Sequence, residues 1–247
     1  MSVDIEIRGA SMIITLNRPA AANALDPATG LGLAAAMRNA DSNPDIRSVI
    51  VTGAGEKVFC SGMDLKAFAE GQDMSSVGEG LNLLSACAKP VIAAVNGAAL
   101  AGGFEVMMRC DLIVAADHAR FGIPEVKRGL VAAGGGTRLP TRIPIAIALE
   151  LGLTGDPISA ARALELGLIN RVVPAPDVLD AALALADRIN ANGPLAIAAT
   201  KQLMLEEVGP APSEHIGQVV APVFASADAI EGATAFAQKR PPVWTGR

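Results

Sequence analysis

Apolar and polar positions alternate along the first sixteen residues, "VDIEIRG" and then "SMIITLNRP", with Gly9 between the two runs. A period of two broken by a glycine predicts a β-hairpin. Asp26-Pro27 then opens a helix running to about Asn39, because proline is tolerated at the first helical position behind an Asp cap. "RSVIVTGAG" is a short buried strand ending in a glycine turn, and "PVIAAVNG" and "DLIVAAD" repeat that pattern further on. The connections between these strands are too long for hairpins. The grammar is α/β, with crossovers.

After about Thr154 the pattern turns helical. "SAARALELG" has a Ser cap and a closing glycine, and "RVVP" is a short strand. "DVLDAALALADRINANG" and "PLAIAATKQLMLEEVG" read as capped amphipathic helices. "DAIEGATAFAQKRPP" ends the series with a capping-box pair, Asp228 and Glu231, and stops at Pro241. The chain therefore divides into an α/β core over residues 1–190 and a helical part over 191–247, with no linker or low-complexity tract between them.

Composition narrows the function. The chain has 247 residues, ample for a large buried core, with 51% hydrophobic and 18% charged positions. Aromatic residues make up 3% and tyrosine is absent, so Ala, Val, Ile and Leu must fill the core. A net charge of −5 argues against a nucleic-acid surface, which needs clustered Lys and Arg. Three cysteines and two histidines, in no metal-ligand spacing, argue against a zinc site or a His-based triad. The thiols read as free in a reducing cytoplasm. No segment offers the roughly 18 charge-free apolar residues a membrane span needs.

The familiar glycine motifs are missing too. "TGAGEK" has neither the spacing nor the Ser/Thr of a P-loop, and no G-x-S-x-G elbow surrounds the serine of "FCSGMD". What remains is an oddity in the middle of the chain. Thirteen positions, Val91 to Gly103, carry no charge, and then Glu105 appears behind a Gly-Gly pair. Gly102-Gly103 lets backbone approach a ligand closely and opens a helix. "VFCSGMDL" likewise sets Ser61-Gly62 between a strand end and a helix start at Asp64. Two exposed N–H groups converging from such helix starts would form an oxyanion hole. Glu105, one turn beyond Gly102, faces the same cavity, and the proline before Glu125 in "FGIPEV" aims a second carboxylate inward. Each feature has a plainer reading alone: a tight turn, an acid complementing a helix terminus, a solvated loop acid, and for Gly134-Gly135-Gly136 a flexible turn.

Together these segments resemble the crotonase (enoyl-CoA hydratase/isomerase) superfamily. The segments are "ITLNRP", "FCSGMDLK", "AAVNGAALAGGFEVMMRCDLIVAAD", "ARFGIPEVKRGLVAAGGGTRLP" and "LTGDPISAARALELGLINRVVP", in that order. The resemblance implies an α/β spiral of ββα turns with a C-terminal helical trimerisation region, assembled as a homotrimer or a dimer of trimers. It implies an acyl-coenzyme A thioester substrate and no metal or redox cofactor. By motif, the oxyanion amides fall on Met63 and Gly102, and the two hydratase glutamates on Glu105 and Glu125, the first activating water and the second protonating C2. The amides near Glu105 are expected to outweigh its apolar surroundings and keep it ionised near neutral pH. Coenzyme A and acyl contacts are expected from Arg18, Ala20, Ala22, Ser61, Asp64, Leu65 and Lys66, with Lys239 reaching a phosphate. Val131 and the stretch Ala69 to Gly80, read as a mobile wall, would shape the acyl pocket. Isomerisation of a double bond needs one carboxylate by the same resemblance, so two favour hydration. An RNA-binding relative of the fold would want a lysine-rich helix, and the only dense basic cluster here is the tail "QKRPPVWTGR".

Overall fold

The computed structural model describes residues 2–207, 221 and 224–243. The hairpin forms as predicted, β1 (Val3–Arg8) antiparallel to β2 (Ser11–Leu16), with Gly9 at a φ of 58° in its turn. Helix α1 (Pro27–Ser42) starts where expected: the Asp26 carboxylate accepts from Thr29 N at 2.8 Å. It runs three residues past the expected end.

The three apolar runs become β3 (Ser48–Gly53), β5 (Val91–Val95) and β7 (Leu112–Ala116). They extend the hairpin into a six-stranded sheet in the order β1-β2-β3-β5-β7-β10, parallel from β2 onward, with β10 (Arg171–Val173) at its edge. Each of the three is followed at once by a shorter strand: β4 (Val58–Cys60), β6 (Ala98–Leu100) and β8 (Arg120–Gly122). These pair in a second sheet of order β4-β6-β8-β9, closed by β9 (Ile158–Ser159). The chain thus alternates between sheets three times, which is the spiral. Strands β3 and β5 are wholly buried, as expected of parallel strands covered on both faces.

Helices α2 (Leu65–Ala69), α3 (Ser75–Ala86) and α4 (Gly102–Met108) leave the short strands and cover the site, and α5 (Ile145–Thr154) and α6 (Ala160–Glu165) follow. Helix α7 (Val178–Asn190) packs across β3, β5 and β7. Of the C-terminal helices, α8 (Pro194–Glu207) is tied to the core by Lys201, whose Nζ bonds Asp111 Oδ2 at 2.6 Å and the Lys89 carbonyl at 2.9 Å. Helix α9 (Ala227–Ala237) lies against α2 and the turn 124–128. No described helix is long and apolar enough to cross a membrane.

Several local expectations need correcting. The cap of α9 is Ser226, which accepts from Ala229 N at 3.0 Å, whereas Glu231 bonds Arg240 instead of closing a capping box. Asp177 makes no side-chain cap at α7. Helix α8 is not one-sided: Leu195, Leu203, Met204 and Leu205 are all exposed on this chain. Within the stretch Ala69 to Gly80, Met74, Val77 and Gly78 line the cavity, and Ser75 onward is the first turns of α3 pressed onto α1. A Cβ on Gly30 would stand 2.5 Å from Ser76 backbone. Residues 208–209, at the end of the α8 reading, His215 and residues 244–247 of the basic tail lie outside the described residues.

Candidate active site

A cavity of about 610 Å³ opens where the second sheet meets α2, α3, α4 and α9. Its polar floor is built from two chain turns. At Gly62, φ is +103°, and Ala101 is held at +51°, a region that L residues adopt reluctantly. These two strained turns touch: a Cβ on Gly102 would stand 3.3 Å from Met63 N. On either side of Met63 the backbone is engaged with Leu25, whose N–H donates to Gly62 O at 2.7 Å and whose carbonyl accepts from Asp64 N at 2.9 Å. Successive amides of an extended segment point in opposite directions. The Met63 N–H therefore faces away from Leu25, toward the cavity and Gly102. Gly102 N, the first of α4, has no preceding helical carbonyl to reach.

The second glycine has a different task. A Cβ at Gly103 would come 2.0 Å from Cys60 O, so only glycine lets α4 seat on β4. That seating buries Glu105, three residues on, to 6% exposure. Beside it, burial pushes the Cys60 thiol up to about 12, which removes it as a nucleophile at neutral pH.

Glu105 is held by the glycine run that followed Glu125 in sequence. Gly136 N donates to Glu105 Oε1 at 3.0 Å, and a Cβ at Gly134 would stand 2.4 Å from Oε2. Arg109, one turn along α4, anchors that run, its Nε and Nη2 donating to Gly134 O at 2.9 and 2.6 Å. Burial raises the Glu105 carboxyl above the ordinary carboxylate range, while the amides of Gly136 and Gly134, the Arg109 guanidinium and the Gly135 amide pull it down. Burial prevails. The sequence expectation gave the amides the upper hand, and the direction is the reverse.

Glu125 is the second residue of the 3-10 turn Pro124–Arg128 and is buried with Oε2 unbonded. Burial, and then the charge of Glu105, push its carboxyl up to about 7. The two acids are thus coupled but unlike. Glu105 has donors that stabilise its anion, and Glu125 lacks a donor at Oε2, so the shared proton belongs on Glu125.

Sequence comparison adds to this geometry. Residues 6–247 match the family model described as enoyl-CoA hydratase/isomerase. A carnitinyl-CoA dehydratase from Proteus mirabilis is 42% identical over 259 residues, covering 100% of this chain and 99% of its own. The crystal structure of a carnitinyl-CoA hydratase from Mycobacterium avium superposes with a TM-score of 0.94 at 42% identity, covering 100% and 99% of the two chains. An enoyl-CoA hydratase from Mycobacterium tuberculosis is 50% identical with a TM-score of 0.79 over the same coverage. The chain belongs to the enoyl-CoA hydratase/isomerase family.

Within this family frame, the cavity brings together Met63, Gly102, Glu105 and Glu125 with Ala22, Ser61, Asp64, Leu65, Lys66 and Val131. Arg18, Ala20 and Lys239 are not part of its wall. Arg18 instead braces it from behind, its guanidinium bonding Asp64 Oδ2 at 3.0 Å, Ala24 O at 2.7 Å and Asp26 Oδ2 at 3.3 Å. Asp64 is correspondingly a structural residue, capping α2 through Lys66 N and Ala67 N. Sequence reasoning overlooked Arg109, the Gly134–Gly136 amides, Arg128 and the Phe236 wall. The spacing of Arg109, four after Glu105 on one helix, was an available signal for the first.

Proposed function

We propose that this protein is an enoyl-CoA hydratase, a hydro-lyase that adds water reversibly across the 2,3 double bond of an acyl-coenzyme A thioester. The observation that carries the reading is that two carboxylates and two amide donors open onto one cavity. The thioester oxygen sits at the amides of Met63 and Gly102, which stabilise the enolate charge by about 3–4 kcal/mol each. Glu105 takes a proton from water as its oxygen attacks C3. Glu125 delivers its proton to C2, and each acid–base step supplies roughly 10²–10⁴-fold. Each turnover leaves Glu105 protonated and Glu125 ionised, and proton exchange with solvent water returns the proton from Glu105 to Glu125 before the next substrate binds. This chemistry uses carboxylates and amides and calls on no metal or redox cofactor, coenzyme A being part of the substrate. The family names of the relatives, carnitinyl-CoA dehydratase and enoyl-CoA hydratase, support hydration as the reaction type.

The remaining features of the reading are a homotrimer or dimer of trimers, no nucleic-acid partner, and a cytoplasmic location that the three free, buried thiols support. Residues 1–190 form the catalytic core and 191–247 the oligomerisation region. Loss of the conjugated thioester absorbance on incubation with crotonyl-CoA tests the activity. Wild type turns over, and Glu105→Gln and Glu125→Gln each fall by at least about 10². Because both act on one transition state, the double variant loses much less than the product of the single losses. Wild-type hydration by Glu105→Gln would remove Glu105 as the base. A Glu105→Gln protein that cannot hydrate yet still shifts a 3-enoyl double bond would turn the assignment to an isomerase.

A further inference from the structure

Arg128 closes the 3-10 turn that begins at Pro124 and lines the acyl cavity. Among the described residues no other arginine lines that cavity, while Arg18 is engaged with Asp26 and Asp64, Arg109 with Gly134 O, and Arg142 with Cys110 O. Arg128 differs. Among the described residues its guanidinium makes no hydrogen bond or salt bridge, and its one specific contact is the Phe236 ring, 4.6 Å from guanidinium carbon to ring centroid. Glu125, three residues earlier, lies near enough for the two charges to favour each other, but they form no salt bridge and Glu125 Oε2 stays unbonded.

Stacking on Phe236 occupies the flat face of the guanidinium and leaves its in-plane N–H donors available. Those donors border a wall that is otherwise apolar, formed by Leu130, Val131, Phe224 and Phe236. A charge partly stripped of water without a hydrogen-bonded partner is unfavourable until a partner arrives. The backbone below is fixed as well: a Cβ on Gly232 of α9 would stand 1.8 Å from Arg128 O, so α9 clamps the position. Lys127 pairs with Asp156 on the outer side.

We propose that Arg128 selects enoyl-CoA substrates whose acyl chain ends in a carboxylate, which its planar fork binds bidentately. The inference rests on the hydratase reading and deepens it. The same guanidinium repels an acyl chain ending in a quaternary ammonium, the charge carried by a carnitinyl group, and among the described residues the carboxylates on the wall are the two catalytic acids Glu105 and Glu125 and the Arg18-paired Asp64.

The test compares trans-2-enoyl-CoA substrates of one chain length ending in carboxylate or methyl, together with carnitinyl-CoA. Wild type shows the higher kcat/KM for the carboxylate-ended substrate. In Arg128→Met the carboxylate-to-methyl ratio falls about 10- to 100-fold, chiefly through KM, and Arg128→Lys recovers part of it. Carnitinyl-CoA gains relative to both in Arg128→Met. A wild-type ratio at or below one, or a ratio unmoved by Arg128→Met, overturns the proposal. Calorimetric affinities for the saturated acyl-CoA pair give the same ratio without turnover. A protein inactive on every enoyl-CoA yet showing the Arg128-dependent affinity ratio would lose the hydratase reading and keep this one. Active hydration with a flat affinity ratio would do the opposite.

Discussion

Two glutamates twenty residues apart in sequence share one cavity and differ in what surrounds them. Glu105 was legible as an acid out of place in an apolar run, and Glu125 as an acid behind a proline. The direction of the Glu105 shift was not legible, because burial by α4 and the Gly134–Gly136 amides are tertiary facts. Glu125 carries the sharper consequence. Its folded-state pKa is about 7 against an ordinary 4.5, so the folded protein binds that proton more tightly than the unfolded chain. Stability from this group is therefore fully present below about pH 4.5 and is lost as pH rises through about 7. The loss approaches about 3 kcal/mol, less whatever the Glu105 coupling absorbs. Glu125→Gln removes the burden and should melt higher than wild type at pH 8, with little difference at pH 4.5, while losing hydration. Equal melting temperatures at pH 8 would show that Glu125 is ionised without cost. Activity should follow the same proton: kcat/KM for hydration declines above about pH 7 as Glu125 loses its proton.

At the scale of elements, glycines decide which segments can approach one another. Sequence pattern placed the strands β3, β5 and β7, the cap at Asp26 and the start of α2 at Asp64, all of which depend on neighbours along the chain. It read the strand end before Ser61, which is β4, but did not separate out β6 and β8, since three-residue segments carry no period of their own. Taken alone, Gly134-Gly135-Gly136 offered only the plain reading of a flexible turn, whereas the run serves as a cradle for a carboxylate on another helix. Local turn statistics contain no information about that partner. Gly134→Ala tests the cradle, because its Cβ would stand 2.4 Å from Glu105 Oε2 and must displace the carboxylate. Hydration should fall by about 10², comparable to losing one acid–base group, with the circular dichroism spectrum unchanged. Gly193→Ala is the matched control: like Gly134 it has no positive φ, the nearest atom to its Cβ would be Ala196 Cβ at 4.0 Å, and it is not on the cavity wall. A Gly134→Ala protein with wild-type kcat would show that Glu105 does not need its present position.

For the molecule as a whole, burial is uneven in an informative way. The central strands β3 and β5 are buried completely, yet α5 presents Ile145, Leu149 and Leu153, four residues apart on one face, at 57%, 51% and 74% exposure. Helix α8 presents Leu195 and Met204 at 86% and 66% while Lys201 holds it to the core through Asp111. A helix fixed in place by a partly buried ion pair is not placed there to show leucine to water. The composition of this region signalled helices and apolar content. The spacing could not say whether the apolar side meets this chain or another, because a period of 3.6 looks the same in both cases. The absence of a one-sided stripe on α8 points to contacts on more than one face. We expect these surfaces to be covered by further copies of the chain, giving a mass in solution of three or six times 25.1 kDa by light scattering at micromolar concentration. Leu153→Lys and Leu195→Lys should shift the mass downward, since a charge at the centre of such an interface typically costs several kcal/mol. Both substitutions leave the cavity wall untouched, so the separate question of whether a lone subunit hydrates can be read from the same samples. A mass near 25.1 kDa for wild type would refute the assembly and leave the exposed leucines to another partner.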